Sequence, residues 1–453
     1  GTDEQREKYL APLASGEMLA AFCLTESGSG SDAASIKTRA EQDGDDWILN
    51  GEKIWITDAE IADFFTVFAK TSAPNERRQL TAFIVTRDMQ GVSHGPHEDK
   101  MGIRACPTNT MSFENVRIPK ENVLGEVGKG FKVAMNILNS GRSGLGGGSV
   151  GGMKRLIALA SAQANGREQF GRKISEFGLI KQKMGEMVVD CYASESVVTL
   201  VAGLSDQGAQ DYAIEAAISK VFATEALYRC ADEALQIAGG NGFMREFPYE
   251  QVVRDSRINR IFEGTNDILR LFIALNGLDD VGKNLKEVSA GVKGAFDHPI
   301  KGFGVIRDYA LRRASIATGI PTEMNTFAGL REELKNEQHI FEAGTRHLAT
   351  ASDKLLRRHG KKIVEKQMAT ARLADIMIHL FVLGAVLSRV SSEIEEKGPE
   401  ACIQERKIAK AFAGRTERAI DFCMHGLDKN DDSELVAIAD HAFDLEKFGF
   451  DTI

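Results

Sequence analysis

The sequence predicts an α+β protein of several domains: a central β-sheet domain, barrel-like in outline, then a four-helix bundle and an extra C-terminal helical domain. Three textures carry this reading. From Met18 to about Val127, short β-prone runs are broken by Gly, Asn, Asp and Pro. From Gly128 to about Gly277 the chain is Ala-rich with helical periodicity. From 326 to 453 long periodic segments return, joined by charged loops such as LDKNDDSE.

The opening GTDEQREKYLAPLASGEM reads as the middle of a helical protein, so residues 1–17 stand apart and an upstream portion is expected. In WILNGEKIWIT, the pair Asn50-Gly51 between two β-prone segments predicts a hairpin turn. FFTVFAK, LTAFIVT and TMSFENVRIP are further strands, completing a sheet domain over 18–127. Helices are expected around 129–164, 176–205, 211–238 and 266–276, which suits an antiparallel bundle over 128–277. The span 278–325 reads as a connector containing one helix, and 326–453 as the extra helical domain.

Bulk properties narrow the function. Lys plus Arg number 56 against 65 Asp plus Glu, a net charge of -9, so there is no general electrostatic pull toward nucleic acid. A local basic site for a phosphorylated ligand stays open. The 6 cysteines include no close pair, which offers neither a zinc knuckle nor a disulfide framework and suits a reducing compartment. There is no HExxH, and His94 and His97 lack acidic partners at ligand spacing, so no metal site is expected. The longest apolar run, Ile376 to Leu387, is too short to span a bilayer and contains His379; it reads as a buried helix. The start shows no signal or transit peptide.

Several short stretches combine polar residues with glycine where chemistry is plausible. In RIFEGTNDILRLFIAL, Ile268, Leu271, Phe272 and Leu275 mark a buried helix face. Thr265 or Asn266 can cap it, and Asp267 suits the positive end of the helix dipole. Glu263 lies between Phe262 and the cap, where a buried carboxylate is costly unless paired or protonated. It reads either as a capping or ion-pair residue, with Arg260 or Arg270 as partner, or as a reactive group. FCLTESGSGSD, Phe22 to Asp32, is neither GxGxxG nor a Walker loop; it is a flexible turn or a cradle of N–H groups for a flavin or phosphate. Trp55 either fills the core or covers an aromatic ring, with Thr57 beside it. Asn139 and Arg142, one turn apart in NSGRSGLGGGS, are solvated residues or grip a nucleotide-bearing ligand. Arg167-Glu-Gln-Phe170 and Gln236-Ile-Ala-Gly-Gly240 are two further polar-glycine joints.

Taken in order, FCLTESGSGSD, KIWIT, GR, REQFGR, QIAGGNGF and RIFEGTNDI closely resemble the acyl-CoA dehydrogenase family, from Gly1 to about Gly277. RIFEGTNDILRLFIALNG and the helical region after it resemble the very-long-chain branch and its complex I assembly relative. The resemblance implies an FAD enzyme that converts long or very-long-chain acyl-CoA to trans-2-enoyl-CoA in fatty-acid β-oxidation, passing electrons to electron-transferring flavoprotein. It makes Glu263 the base for the α-proton, with a pKa raised by a dry site, and its backbone N–H a donor to the thioester oxygen together with a flavin ribityl hydroxyl. Gly264 lets the substrate come close. Phe22, Leu24, Thr25 and Ser31 would lie along the flavin or its phosphates, Ser31 also near the substrate. Trp55 and Thr57 would flank the isoalloxazine, and Thr265 and Asp267 would meet the cofactor. Arg167, Phe170, Gln236, Gly239 and Gly240 correspond to positions that hold the adenosine half from a neighbouring subunit, which implies a homodimer. Asn139 and Arg142 correspond to coenzyme A contacts.

The sequence departs from the family at Ser27, usually Pro, at Asp58-Ala59-Glu60 after WIT, usually Asn-Gly or similar, and at Ser143, commonly aromatic in the long-chain branch. Of the family's N-terminal helical domain only residues 1–17 correspond, so the chain is expected to be either a fragment or open on one side of the acyl pocket. The segment 302–317, GFGVIRDYALRRASIA, which resembles a segment of the long-chain relatives, reads either as a peripheral membrane helix, with Arg307, Arg312 and Arg313 drawn to anionic lipid, or as a helix packed on its own protein or a linker. The location implied is the matrix face of the inner mitochondrial membrane in a eukaryote and the cytoplasm in a bacterium. Two other functions use the same motifs: an assembly or scaffold protein on this fold, and an acyl-CoA oxidase.

Overall fold

The computed structural model describes residues 1–71, 79–209, 211–278 and 330–450. The expected membrane helix 302–317 and the connector 279–325 lie outside the described residues. The chain forms two compact units, 1–144 with 239–265, and 145–238 with 266 onward.

The first unit is built on a sheet of β1 (Ala20–Cys23), β2 (Arg39–Asp43), β3 (Asp46–Thr57), β4 (Phe64–Lys70), β5 (Leu80–Thr86), β6 (Val92–His94), β7 (Thr108–Ile118) and β8 (Val123–Leu124). The path runs β6-β7-β3-β2-β4-β5-β8, with β1 parallel to β4. Its two ends do not meet, so the barrel-like outline is an open sheet. β4 and β5 are buried on both faces, as unbroken apolar runs should be. Leu49, Phe65, Val67, Phe83, Val85 and Val116 fill the core with no exposed surface.

The expected hairpin at Asn50-Gly51 is not there. β3 runs unbroken through both residues, and the turn into it comes earlier, at Gly44 with φ +63°. Packing overrides the dipeptide's turn preference. A Cβ on Gly51 would lie 2.7 Å from Thr38 Cα, so the glycine admits a neighbouring backbone. Asn50 Oδ1 meanwhile accepts the Asn115 amide at 2.8 Å, across a register shift that forms a bulge against β7.

The second unit is helical: Gly178–Asp206, Ala213–Ala238, residues 266–278, Lys335–His359, Gln367–Lys397, Ile403–Gly426 and Asp432–Leu445. These helices up to Gly426 share one continuous core, containing Val197, Phe222, Ile273, Leu383 and Phe412. Phe222 meets Phe412 edge-on, ring centroids 5.8 Å apart. Gln367–Lys397, which holds the longest apolar run, and Gly178–Asp206 are long and apolar enough to cross a bilayer, but 61% of the former's most apolar window is buried in this core. A further helix, Gly130–Gly166, carries the glycine-rich GRSGLGGGSVGG. Gly146 and Gly152 there give the close approach that Val198, Ser219 and Leu227 require.

Candidate active site

Glu263 sits in the first unit, just after a helix the sequence reading missed, Tyr249–Arg257. Its signals were Pro248 ahead of the first turn and Glu250 four residues before Arg254, which pair at 2.7 Å. This helix is clamped to the loop before β7. Asp255 accepts the Ile103 amide at 2.6 Å, and Arg254 donates to the Met101 carbonyl at 3.1 Å. Between them, a Cβ on Gly102 would strike the Arg254 carbonyl at 2.4 Å. Ile103 itself is forced to φ +47°.

The chain then tightens into a single turn, where the amides of Ile261 and Phe262 both donate to the Ile258 carbonyl, and Glu263 follows at φ +58°. A left-handed glutamate is uncommon and costs about 1 kcal/mol or more. Gly264 continues in the same region, φ +89°. Arg142, only 6% exposed, holds this turn by donating from Nε to the Glu263 carbonyl at 3.2 Å. Its Nη1 donates to Asn139 Oδ1 at 3.0 Å. Burial pushes the Arg142 pKa down while the Glu263 charge pulls it back up, the net direction being downward. Gly141 lies under the carboxyl group: a Cβ there would be 3.0 Å from Glu263 Oε2 and 3.3 Å from Cδ. Asn139, Gly141, Arg142, Glu263 and Gly264 thus form one cluster, to which sequence reasoning did not assign Gly141.

A second group joins the loop after β1 to strand β3. The Ile54 amide donates to the Thr25 carbonyl at 3.0 Å. Trp55 takes φ +57° and leaves 63% of its surface exposed, so the indole lies outside the core. Thr57 and Ser31 are exposed, Phe22 and Thr25 half-buried and Leu24 buried. Asp58, where the family usually has Asn-Gly or similar, adopts φ +61° and donates its amide to the Pro107 carbonyl at 2.7 Å. Ser27 is exposed, and the Ser143 hydroxyl donates back to the Asn139 carbonyl at 3.2 Å.

The remaining expected residues fall on other elements. Phe170 and Gly171, φ +52° and +79°, are the two-residue turn of a small hairpin in which Gln169 pairs with Arg172. The Phe170 ring is 95% exposed at its tip. Arg167, Gln236, Gly239 and Gly240 are exposed, with Gly239 at φ +62°, ψ -135°, a conformation reserved for glycine. Thr265 is half-buried and Asp267 exposed at the start of the 266–278 helix.

Past Thr265 the motif enters the second unit and changes character. Asn266 is buried; its Oδ1 accepts from Lys220 Nζ at 2.8 Å, and its Nδ2 donates to Thr224 Oγ1 and Glu225 Oε1 at 3.2 and 3.1 Å. Arg270, a candidate partner for Glu263 from sequence, is taken up by Glu225 in a bidentate pair, 2.7 and 3.0 Å, and by Asp375 at 2.8 Å.

The chain matches known families over most of its length. The acyl-CoA dehydrogenase middle domain matches residues 21–116, the acyl-CoA dehydrogenase C-terminal domain 128–278, and the ACAD9/ACADV C-terminal domain 332–448. The chain is 47% identical over 409 residues to the very long-chain specific acyl-CoA dehydrogenase, mitochondrial, of Homo sapiens, covering 88% of this chain and 62% of that protein. It therefore spans less than two thirds of the human relative. It is 37% identical over 432 residues to a probable acyl-CoA dehydrogenase of Bacillus subtilis, covering 91% of this chain and 68% of the relative. The crystal structure of an acyl-CoA dehydrogenase complexed with FAD from Bacillus anthracis superimposes with a TM-score of 0.82 at 34% identity, covering 96% of this chain and 74% of that one. With relatives matched over two thirds of their length and both core domains present, the chain belongs to the acyl-CoA dehydrogenase family.

Proposed function

We propose that the protein is a flavin-dependent dehydrogenase of long-chain acyl-CoA, with Glu263 as the base. The observation that carries this is the left-handed Glu263-Gly264 turn, held from behind by Arg142 and floored by Gly141. Strain of this kind persists only where the surroundings over-determine it, and it concentrates at reactive groups. A structural ion pair needs neither the strained turn nor a glycine beneath the carboxyl.

The residues present suit FAD. Trp55 offers an exposed aromatic face, and the loop beside it has open space over Gly28 and Gly30, where an added Cβ would meet nothing within 4 Å. When bound, FAD supplies the acceptor for the β-hydrogen as hydride. The Glu263 carboxylate takes the α-proton. Arg142 fixes the Glu263 carbonyl and thereby the peptide turn, and Gly264 removes the side chain that would obstruct a thioester. Asn139, half-buried and held by Arg142, and Arg142 itself are the assigned coenzyme A contacts. Trp55 and Thr57 would flank the flavin, and Phe22, Leu24, Thr25, Ser31, Thr265 and Asp267 would help hold it.

Phe170, Arg167, Gln236, Gly239 and Gly240 serve the FAD of a second copy. Their exposure supports this, since the Phe170 ring is 95% exposed at a strained hairpin tip and within its own chain meets the Phe177 ring edge-on, centroids 6.2 Å apart. The protein is then a homodimer whose cofactor bridges subunits, and electrons leave to electron-transferring flavoprotein. Arg167→Ala should weaken FAD retention and dimerisation together, whereas sedimentation of a fully flavinylated monomer would refute the bridging. For the reaction, the visible spectrum of purified protein is followed without oxygen during titration with palmitoyl-CoA. Bleaching of the flavin band is expected. A flavin band that does not bleach would point to a scaffold instead, and rapid reoxidation by air to an oxidase.

A further inference from the structure

The loop between β1 and β2 is closed by an ion pair that its sequence does not advertise. Lys53 has no exposed surface, and its Nζ donates to Glu26 Oε1 at 2.7 Å and to the Leu24 carbonyl at 3.0 Å. Glu26, nearly buried, also accepts the Thr38 amide on Oε1 at 3.0 Å and the Lys37 amide on Oε2. One carboxylate therefore ties the two ends of a loop that opens at Leu24 and closes at Thr38. Inside the loop, the amides of Glu26 and Ser29 exchange hydrogen bonds with each other's carbonyls at 3.1 and 3.0 Å, and the Ser29 hydroxyl donates to the Asp32 carbonyl at 2.6 Å. The residues left outside this frame, Ser27, Gly28, Gly30 and Ser31, are exposed.

The other end of the pair is anchored in β3. Lys53 is two residues from Trp55, and the Ile54 amide between them donates to the Thr25 carbonyl. Lys53 and Glu26 thus fix the loop bearing Thr25 and Ser31 against the strand bearing Trp55 and Thr57. A buried ion pair is a poor source of stability, because desolvation offsets most of the attraction, and apolar residues of similar volume usually do as well. They cannot do what this one does, which is to accept two amides from irregular backbone while holding a carbonyl.

We infer that Glu26 and Lys53 are positioning residues for FAD, setting the spacing between the Thr25–Ser31 loop and the Trp55–Thr57 strand; this rests on the flavin reading above. Neither touches the reacting atoms. The role separates cofactor affinity from folding and from the chemistry of Glu263.

The test uses Glu26→Asp, which keeps the charge but is too short to reach both amides and Lys53, and Lys53→Met/Glu26→Leu, which removes the pair without leaving a lone buried charge. FAD binding to stripped protein is followed by flavin fluorescence, alongside the melting of the apoprotein and activity at rising FAD. The expected result is an apoprotein that still melts cooperatively, though lower in Lys53→Met/Glu26→Leu, where the Lys37 and Thr38 amides lose their acceptor, together with an FAD Kd raised at least ten-fold and a kcat restored at saturating FAD. Both variants binding FAD within two-fold of wild type would overturn the inference and leave the pair a structural role only, as would lowered melting with unchanged Kd. A wild-type protein that takes up no FAD would instead refute the flavin reading itself.

Discussion

The motif RIFEGTNDILR is cut in two by the fold, and its halves are built on opposite principles. On the Glu263 side the backbone is strained over two residues, a buried arginine braces a carbonyl, and a missing side chain at Gly141 makes room for the carboxyl. On the Asn266 side the helix is regular, and Asn266 and Arg270 are saturated with partners, Lys220, Thr224, Glu225 and Asp375. The two sides contain the same residue types, an acid, an asparagine and an arginine. What differs is where the arginine's hydrogen bonds go. Glu225 takes Arg270 in a bidentate pair that rigidifies. Arg142 directs its Nε to the Glu263 main chain, which fixes the turn. Strain marks the half assigned to chemistry, and satisfaction marks the half that anchors it.

Short of removing the base altogether, the largest effect should come from shortening it. Glu263→Asp withdraws the carboxyl by one methylene from a turn that cannot follow, and flavin reduction by palmitoyl-CoA should slow by about 10²-fold. Stopped-flow reduction at saturating substrate measures this. Next is Gly141→Ala. Alanine favours the helix by roughly 0.8–1 kcal/mol, so melting should hold or rise, yet its methyl would press on Glu263 Oε2, and reduction should slow by about ten-fold. A more stable, slower enzyme is the signature; equal rates would remove Gly141 from the cluster.

On the other half, Arg270→Met should leave the rate per bound flavin unchanged and lower stability by roughly 1.5–3 kcal/mol, since Glu225 is left without its charge partner. The same pair sets an acid limit. Burial pushes the Glu225 pKa up, but the Arg270 hydrogen bond and charge outweigh it and hold the group below its ordinary 4.5. A depressed folded-state pKa means its stabilisation is complete above about 4.5 and is lost as pH falls through the lower folded value. Urea midpoints should therefore decline with acidification below that point in the native protein, and more shallowly in Arg270→Met. The smallest effect belongs to Trp55→Phe. The residue is exposed, so apoprotein stability should move by no more than about 0.5 kcal/mol, while FAD affinity should weaken by roughly 0.5–1.5 kcal/mol through lost stacking area.

Legibility in the sequence follows the same division. Glu263, Asn139 and Arg142 stood out because a carboxylate beside glycine and an arginine in a glycine-rich helix start contradict ordinary helix chemistry. Gly141 did not, because GRSGLGGGSVGG holds so many glycines that only packing reveals which one faces a side chain. Glu26 and Lys53 gave no signal, since both residue types usually lie at the surface and their partnership spans 27 residues. Asp255 and Ile103, 152 residues apart, were beyond any local signal. FFTVFAK and LTAFIVT were read as strands with their observed bounds, since burial on both faces leaves an unbroken apolar run. Asn50-Gly51 misled because its turn propensity is local, whereas the contacts with Thr38 and Asn115 that keep β3 straight are not.

If Glu263 of the first unit reacts while Glu225 of the second only anchors, one paired measurement separates the two carboxylates. Glu263→Gln and Glu225→Gln make the same isosteric change, and each variant is taken through anaerobic flavin reduction by palmitoyl-CoA and thermal melting. Glu263→Gln should keep its flavin and melting temperature but lose reduction by on the order of 10²–10⁴-fold. Glu225→Gln should melt several degrees lower yet reduce its bound flavin at the native rate. Near-native reduction in Glu263→Gln, or lost reduction with intact melting in Glu225→Gln, would contradict this division.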